Sequence, residues 1–244
     1  MITLAVDTSE ARGSVALLRE GRCVATESHQ DGSDYSEWLI PAVGRVLNSG
    51  HAGMEQVQLY GVATGPGSFT GVRVGLTTVK AWCEVYGTPV VGVSRLEALL
   101  VSGEAHAPSV RPAQGGLSVA YYDAQRGQVF GAVYRGGGHD LERIGDEMVI
   151  APEALLELAG REGAAVQWVT LDPKLITDLA GWDLRVQHGD EMRVCSPDLA
   201  SAIGQIAEER AKAGRFSDPL ELDANYVRRS DAEIFWKGPA AHVR

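Results

Sequence analysis

The glycine-rich stretch at residues 61–75 constrains the fold more than any other part of the chain. It reads GVATGPGSFTGVRVG and combines glycines, hydroxyl side chains and one arginine. The apolar run at 59–63 predicts a short buried strand, and the Gly-Pro-Gly tripeptide at 65–67 supplies the backbone angles of a sharp turn. Ser68 or Thr70 then caps the first turn of a helix. The sequence therefore predicts a strand, a glycine turn and a helix in direct succession.

Such a turn is also a candidate anion site, because free N–H groups and the positive end of the helix dipole point at one place. Neither common phosphate fingerprint is present: Thr70 stands where G-x-G-x-x-G needs its third glycine, and the Gly-Lys-Ser/Thr ending of the P-loop is missing. Since glycine turns are far commoner than nucleotide sites, a structural turn is favoured over a phosphate cradle. The residues that could face a nucleotide or phosphate are Asp7, Ser9, Gly65, Gly67, Ser68 and Asp123.

Length and composition exclude several classes of protein. The 244 residues, 45% of them hydrophobic, suffice for one large domain or two small ones. A net charge of −10 argues against a self-sufficient nucleic-acid binder, since phosphate contacts need clustered Lys and Arg. Three scattered cysteines favour a reducing compartment, and neither a leader pattern nor an apolar run of about 18 residues is present. We expect a cytoplasmic protein without a membrane anchor.

The order of predicted elements is the same in the two halves of the chain, βββαβαβα in each. In the first half, strands are predicted at 2–6, 14–18, 23–26, 59–63 and 90–93, and helices at 36–48, 70–86 and 94–101. In the second half, strands are predicted at 117–122, 128–134, 143–150, 166–170 and 184–187, and helices at 152–159, 173–180 and 196–213. The repeat predicts a duplicated α/β pair, with subdomains at 1–102 and 117–244 joined by a linker at 103–116.

Residues 64–76 resemble the signature of the TsaB (YeaZ) family, a member of the actin/hsp70/sugar-kinase superfamily. The segment 121–130 is similar to a second family stretch, although Gln125, Gln128 and Phe130 replace its usual Arg, Glu and Tyr. Weaker matches follow at the C-terminus: residues 222–228, without the family's proline, and the Phe-Trp-Lys at 235–237. The resemblance implies duplicated actin/hsp70-like (ASKHA, RNase H-like) halves, in agreement with the repeated element order.

Few residues are candidates for catalysis or for binding a metal. In active members of the superfamily, the position of Asp7 faces phosphate and metal; the favoured alternative is that Asp7 and Ser9 cap their own turn. For Asp123, a turn in the hairpin around Gly127 is the favoured role. In the family's catalytic relative TsaD a His pair one helical turn apart binds the metal. Here His29 stands alone, and Ser33 occupies the place of a second His. We expect no catalytic residues, no metal and no cofactor.

Two helices carry more apolar positions than one core-facing stripe needs. The resemblance implies that the family uses them to form dimers and to bind TsaD. The candidate interface residues are Trp38, Leu39, Val43, Val46, Leu47, Val72, Leu76 and Val79. On the second helix Val74, Ala81 and Val85 suit a different face from Val72, Leu76 and Val79. Burial between the sheet and neighbouring helices remains the alternative for both helices.

The resemblance implies a non-catalytic scaffold or activator subunit for synthesis of N6-threonylcarbamoyladenosine (t6A) at tRNA position 37. Its expected partners are a TsaD-like transferase and a TsaE-like ATPase, with a homodimer when alone and tRNA contacted only indirectly. The first alternative is a nucleotide-dependent ATPase or phosphotransferase that uses Asp7 and the glycine turn. The second is a peptidase, for which the sequence lacks a G-x-S-x-G elbow.

Overall fold

The computed structural model describes residues 1–30, 32, 34–106, 116–136, 141–161 and 163–227. Several sequence predictions therefore lie outside the described residues: the position of Ser33, most of the expected linker (107–115), and the C-terminal matches at Arg228 and 235–237. Among the described residues, no helix is both long enough and apolar enough to cross a membrane.

The described chain forms two five-stranded sheets with the same strand order. The first sheet has the order β3-β2-β1-β4-β5, and the second has the order β8-β7-β6-β9-β10. In each, an antiparallel three-strand meander continues into two parallel strands. The strands are β1 (Ile2–Asp7), β2 (Ser14–Arg19), β3 (Arg22–Ser28), β4 (Leu59–Ala63), β5 (Val90–Val93), β6 (Leu117–Asp123), β7 (Val129–Arg135), β8 (Glu142–Ile150), β9 (Val166–Thr170) and β10 (Glu191–Val194). The duplication expected from the sequence is confirmed.

The helices are distributed over three layers. They are α1 (Tyr35–Ser49), α2 (Phe69–Tyr86), α3 (Arg95–His106), α4 (Pro152–Gly160), α5 (Lys174–Thr177), α6 (Trp182–Gln187) and α7 (Ala200–Lys212), with a short 3-10 helix at Met54–Gln56. Helices α1 and α2 cover the outer face of the first sheet, and the helices α4 to α6 cover that of the second. Helices α3 and α7 lie between the sheets in a central apolar cluster.

The last helix of each half packs against the sheet of the other half. Helix α3 contacts β6, β7 and β9, whereas α7 contacts β1, β2 and β4. Polar bonds fix α7 in place: Thr3 donates to Glu208 at 2.9 Å, and the Ala200 N–H donates to Ser14 at 3.0 Å. The two halves are therefore interlocked through their helices.

The prediction of a strand at 184–187 is wrong, because this segment belongs to α6 and the strand lies at β10. The alternation of Leu184 and Val186 suggested a half-buried strand, but both side chains are exposed. Trp182 instead anchors the helix, with its ring 5.9 Å from that of Trp168. Two bounds also differ: the helix predicted at 173–180 is only the single turn α5, and α3 continues into the expected linker as far as His106.

Candidate functional site

A cleft of about 430 Å³ lies between the two halves. Four segments line it: the loop after β1, the glycine turn with the start of α2, the β6–β7 hairpin, and the C-terminal segment after α7. The lining residues are Glu10, Pro66, Gly67, Ser68, Phe69, Val72, Asp123, Ala124, Gln125, Arg126, Phe130, Ala224, Asn225, Tyr226 and Val227. The topology thus brings three of the six predicted phosphate-facing residues to one cleft: Gly67, Ser68 and Asp123.

Asp7 ends β1 but does not face this cleft. Its side chain is fully buried, and its Oδ1 accepts from the Ser9 N–H at 2.9 Å and from the Ser9 hydroxyl. Its Oδ2 accepts from Nε of Arg95 at 3.1 Å, and Arg95 is fully buried too. The turn-capping interpretation of Asp7 and Ser9 is therefore confirmed. Asp7, Ser9 and Gly65 are buried and are not among the residues that line the cleft, so a contact of these three with phosphate stays a prediction.

Sequence reasoning missed Arg95. It lies at the start of α3, after Ser94, where the pattern indicated only a helix cap. Ser94 does accept from the Glu97 N–H at 3.4 Å. The Arg95 guanidinium lies 4.8 Å from the ring centroid of Tyr122, and among the described residues its two terminal nitrogens have no hydrogen-bond partner. No charge pattern in the sequence could have paired Arg95 with Asp7, because 88 positions separate them.

The glycines of the turn and of α2 allow two loops to touch. A Cβ at Gly67 would lie 2.1 Å from the carbonyl oxygen of Ser9, and one at Gly71 would lie 2.1 Å from that of Thr8. The Ser68 N–H donates to the Ser9 carbonyl at 2.7 Å, and the Thr8 hydroxyl donates to the Gly71 carbonyl at 2.7 Å. Close backbone approach thus accounts for these glycines and supports the structural-turn interpretation.

Ser68 caps α2 as expected, because its Oγ accepts from the Gly71 N–H at 3.3 Å. On the opposite wall, Arg126 and Gly127 form the hairpin turn with positive φ angles of 60° and 70°, as the sequence predicted. Asp123 holds the adjoining Gln125 by accepting from its backbone N–H at 2.7 Å and from its side-chain amide at 2.9 Å. Both carboxylate oxygens of Asp123 therefore serve the hairpin.

Glu10 is the second residue that sequence reasoning missed. It lines the cleft, and burial raises the pKa of its carboxyl group to about 7. The positive charge of Arg95 lowers this pKa, whereas Asp7 and Asp123 add to the increase. Glu10 is therefore partly protonated at neutral pH, although nothing in its sequence neighbourhood indicates a perturbed group.

The C-terminal segment fastens both halves at the cleft. The Asn225 N–H donates to the Thr64 carbonyl at 2.8 Å, and the Asn225 side chain donates to Glu147 of β8. Tyr226 packs on Phe69 with ring centroids 5.2 Å apart, and its hydroxyl accepts from Nε of Arg73 at 2.8 Å. Tyr226 thus anchors the segment on the body of the protein.

The eight predicted interface residues are corrected by the structure. All of them belong to the apolar cluster between the first sheet and the helices α1 and α2, and none is more than 8% exposed. The same helices have another face. On α2 it comprises Thr70, Val74, Thr77, Ala81 and Val85, which follow one another at helical spacing and carry no charge. Ile40 of α1 is exposed as well. We call these six residues the outer α1–α2 face.

No metal site is found in the part of the chain that the structure describes: no three His, Cys, Asp or Glu side chains are grouped to hold an ion. Nδ1 of His29 lies 2.9 Å from the carbonyl oxygen of Ala11. The chemistry available in the cleft is that of Glu10, Asp123, Arg126, hydroxyl and amide groups, and aromatic rings.

Comparison with known proteins places this geometry in a family. The family described as "TsaD: tRNA N6-adenosine threonylcarbamoyltransferase" matches residues 29–206, well over half of the chain. The tRNA threonylcarbamoyladenosine biosynthesis protein TsaB of Bacillus subtilis is 28% identical over 244 residues, which cover 97% of this chain and 98% of that protein.

Solved structures agree on the fold. YeaZ from Pseudomonas aeruginosa aligns with a TM-score of 0.71 at 22% identity, covering 92% of this chain and 99% of that one. The ROK hexokinase from Thermus thermophilus aligns with a TM-score of 0.50 at 12% identity, covering 88% of this chain and 100% of that one. The duplicated actin-like fold expected from the sequence is confirmed. The chain belongs to the family described as TsaD, tRNA N6-adenosine threonylcarbamoyltransferase, and resembles the TsaB (YeaZ) proteins that align over almost its whole length.

Proposed function

We propose that this chain is a non-catalytic scaffold and activator subunit in the synthesis of N6-threonylcarbamoyladenosine in tRNA. Relatives that align over almost its full length are named as biosynthesis proteins for that nucleoside, which supports the pathway. The observation that carries the non-catalytic role is the buried Asp7–Arg95 ion pair. It neutralises, inside the protein, the carboxylate that active members of the superfamily present to phosphate and metal.

The nucleotide and Mg²⁺ implied by the superfamily do not fit the cleft. Asp7 is held by Arg95 and Ser9, and the Ser68 N–H donates to a carbonyl of the protein. Both carboxylate oxygens of Asp123 already accept hydrogen bonds from Gln125. These contacts favour the scaffold over an ATPase or phosphotransferase. Nothing in the described part of the chain supports the peptidase alternative, and the Ser68 hydroxyl serves as a helix cap.

We propose the outer α1–α2 face as the surface that binds the TsaD-like transferase. Val85 is 73% exposed and Ala81 is exposed, while Leu76, on the inner side of α2, is only 4% exposed. This helix face is uncharged and partly apolar, and no element among the described residues covers it. Protein interfaces bury surfaces of this kind. In the free protein this face pairs with a second copy, and the transferase replaces that copy in the complex. A TsaE-like ATPase joins the complex. This chain contacts tRNA only indirectly, through the complex, and the proteins act in the cytoplasm.

The experiment is size-exclusion chromatography with light scattering, on the chain alone and mixed with the TsaD of its organism, each with and without ATP. We expect a homodimer that converts to a heterodimer. The Val85→Glu variant should remain a monomer and fail to bind TsaD, because a charge in an apolar interface is desolvated without a partner. Val186→Glu is the matched control, since Val186 is 49% exposed on α6, away from this face.

A monomer that ignores TsaD but binds ATP tightly would contradict the scaffold and favour the phosphotransferase. Equal loss of binding in the Val85→Glu and Val186→Glu variants would contradict the assignment of the surface. A charge at Leu76 would not test the interface, because this buried side chain belongs to the core.

A further inference from the structure

The cleft contains an acidic group that lacks a matching cation. The Glu10 carboxyl group forms no ion pair with any residue that the structure describes, although it lines the cleft. Arg95 acts on it through charge, but its only described ion pair is with Asp7, at 3.1 Å. The backbone N–H of Ala11 donates to this carboxyl group, but burying a carboxylate without an ion-pair partner is costly, and burial raises the pKa of Glu10 to about 7. A cation brought to Glu10 from outside would relieve the same cost.

The walls of the cleft suit such a cation. Phe69, Phe130 and Tyr226 contribute aromatic rings, whose faces attract guanidinium and ammonium groups. The protein already uses two of these rings in this way at the rim, where the Arg73 guanidinium lies 3.7 Å from the Phe69 centroid and 5.6 Å from that of Tyr226. Aromatic faces beside a carboxylate form a site for a positively charged planar or compact group.

The charge balance of the cleft disfavours anions. Glu10 and Asp123 lie on opposite walls, and Arg126 at the hairpin tip is the one cation among the described residues that line it. With Glu10 ionised, the described lining carries a net negative charge, in a protein whose total charge is −10. This charge favours an incoming cation over an incoming phosphate beside Glu10, whereas Arg73 at the rim acts in the opposite sense.

We propose that the cleft binds an arginine or lysine side chain that a partner protein inserts into it. The volume of about 430 Å³ lies near the lower end of ligand pockets, enough for one long side chain and its adjoining backbone. Phe69 and Tyr226, at the mouth, are 44% and 41% exposed, so the entrance presents two large rings to solvent. Aromatic anchors of this kind are enriched where proteins bind each other.

This site is separate from the outer α1–α2 face. Of the cleft residues only Phe69 and Val72 belong to α2, and neither is part of that face. A failure to bind cations would therefore not contradict the proposed scaffold function, and a failure to bind TsaD would not contradict the proposed cation site.

The test uses the full chain and two short peptides, Ac-Gly-Arg-Gly-amide and Ac-Gly-Gln-Gly-amide, in NMR and calorimetric titrations. We expect the arginine peptide to bind and to shift the amide signals of the cleft residues, and the neutral peptide to do neither. Glu10→Gln should weaken binding at least tenfold, whereas Glu157→Gln, at an exposed position of α4, should have no effect. Similar binding of the two peptides, or full binding by Glu10→Gln, would overturn the proposal.

The release of protons on binding, and the pH dependence of the affinity, distinguish a charge contact with Glu10 from simple packing. The groups that face Glu10 are Asp7, Tyr35, Arg95, Tyr122 and Asp123. Burial raises the pKa of both tyrosines, so these stay neutral. A bound cation favours ionised Glu10, so binding should release protons near neutral pH, and the affinity should rise from about pH 6 to about pH 8. An affinity that does not change with pH would overturn the role of Glu10.

The chain itself offers another occupant, since Arg228 and Arg229 follow directly after Val227 in the sequence. The double variant Arg228→Gln/Arg229→Gln distinguishes the two sources. Unchanged affinity for the arginine peptide supports an external side chain. A tenfold or larger gain in affinity would mean that the chain's own arginines compete for the cleft, and it would overturn the proposal of a partner residue.

Discussion

At the scale of single residues, the main finding is that Asp7 has become part of the core. It ends the first strand, and Ser9 and Arg95 donate hydrogen bonds to its two carboxylate oxygens. A buried ion pair of this kind contributes little net stability compared with an apolar pair, yet either charge is costly when left alone. Arg95 and Asp7 should therefore be tolerant of joint replacement and intolerant of single replacement.

Arg95→Met is expected to destabilise the protein by about 3–5 kcal/mol, because it leaves the fully buried Asp7 without its cation. The double variant Asp7→Asn/Arg95→Met should recover most of that loss. Urea unfolding monitored by circular dichroism measures both. Arg45→Met is the control, since its ion pair with Glu27 is at the surface and its loss should change little. Equal stabilities for the single and the double variant would contradict this account.

Glu10→Gln should stabilise the protein in a pH-dependent manner. Burial raises the folded-state pKa of Glu10 from 4.5 to about 7, so between these values the unfolded chain loses a proton that the folded chain keeps. The contribution of Glu10 to stability therefore falls as pH rises through this window. At about pH 8 the variant should be more stable than the natural chain by about 2–3 kcal/mol, and near pH 5 the difference should be small. Denaturant midpoints of both proteins at both pH values provide the check. An equal gain in stability at the two pH values would contradict this role of Glu10.

At the scale of elements, local patterns predicted structure well where one segment dictates its own geometry. The strand β4, the glycine turn and α2 follow from residues 59–86, because turn glycines and a capping serine act within a few positions. The pattern failed at 184–187, where the burial of Trp182 against β9 decides the structure. It also assigned the apolar stripes of α1 and α2 to a partner, because a stripe does not tell which neighbour covers it.

The glycines of α1 and α2 give the sharpest test at this scale. Gly71→Ala should destabilise the protein by about 1–3 kcal/mol, because its Cβ would lie 2.1 Å from the Thr8 carbonyl oxygen. The start of α2 and the loop after β1 would then have to separate. Gly44→Ala in α1 has nothing within 4 Å of its Cβ, and alanine favours the helix, so it should stabilise by about 0.5–1 kcal/mol. We expect thermal unfolding to show a lower melting temperature for Gly71→Ala and a higher one for Gly44→Ala. A destabilising Gly44→Ala, or a neutral Gly71→Ala, would show that loop contact does not explain these glycines.

At the scale of the whole molecule, the last helix of each half packs on the sheet of the other half, so the two predicted subdomains depend on each other. The repeated element order could be read from the sequence, but the destination of α7 could not, since its contacts with the first sheet join distant residues, such as Ala200 and Ser14, 186 positions apart. Helix α7 covers the first sheet, so residues 1–102 lack the element that buries the inner face of their own sheet.

We therefore expect residues 1–102 not to fold when expressed alone, and the full chain to unfold as one unit. Ile203→Ala in α7 should lower the stability by about 2–5 kcal/mol, because it leaves a cavity between α7 and the first sheet. The tryptophans report on the halves separately: Trp38 and Trp82 lie beside the first sheet, and Trp168 and Trp182 beside the second. With Trp236 replaced by phenylalanine throughout and each pair replaced in turn, the Ile203→Ala transition should shift equally for both reporters. A fragment 1–102 that melts cooperatively, or reporters with separate midpoints, would restore the division into two independent subdomains.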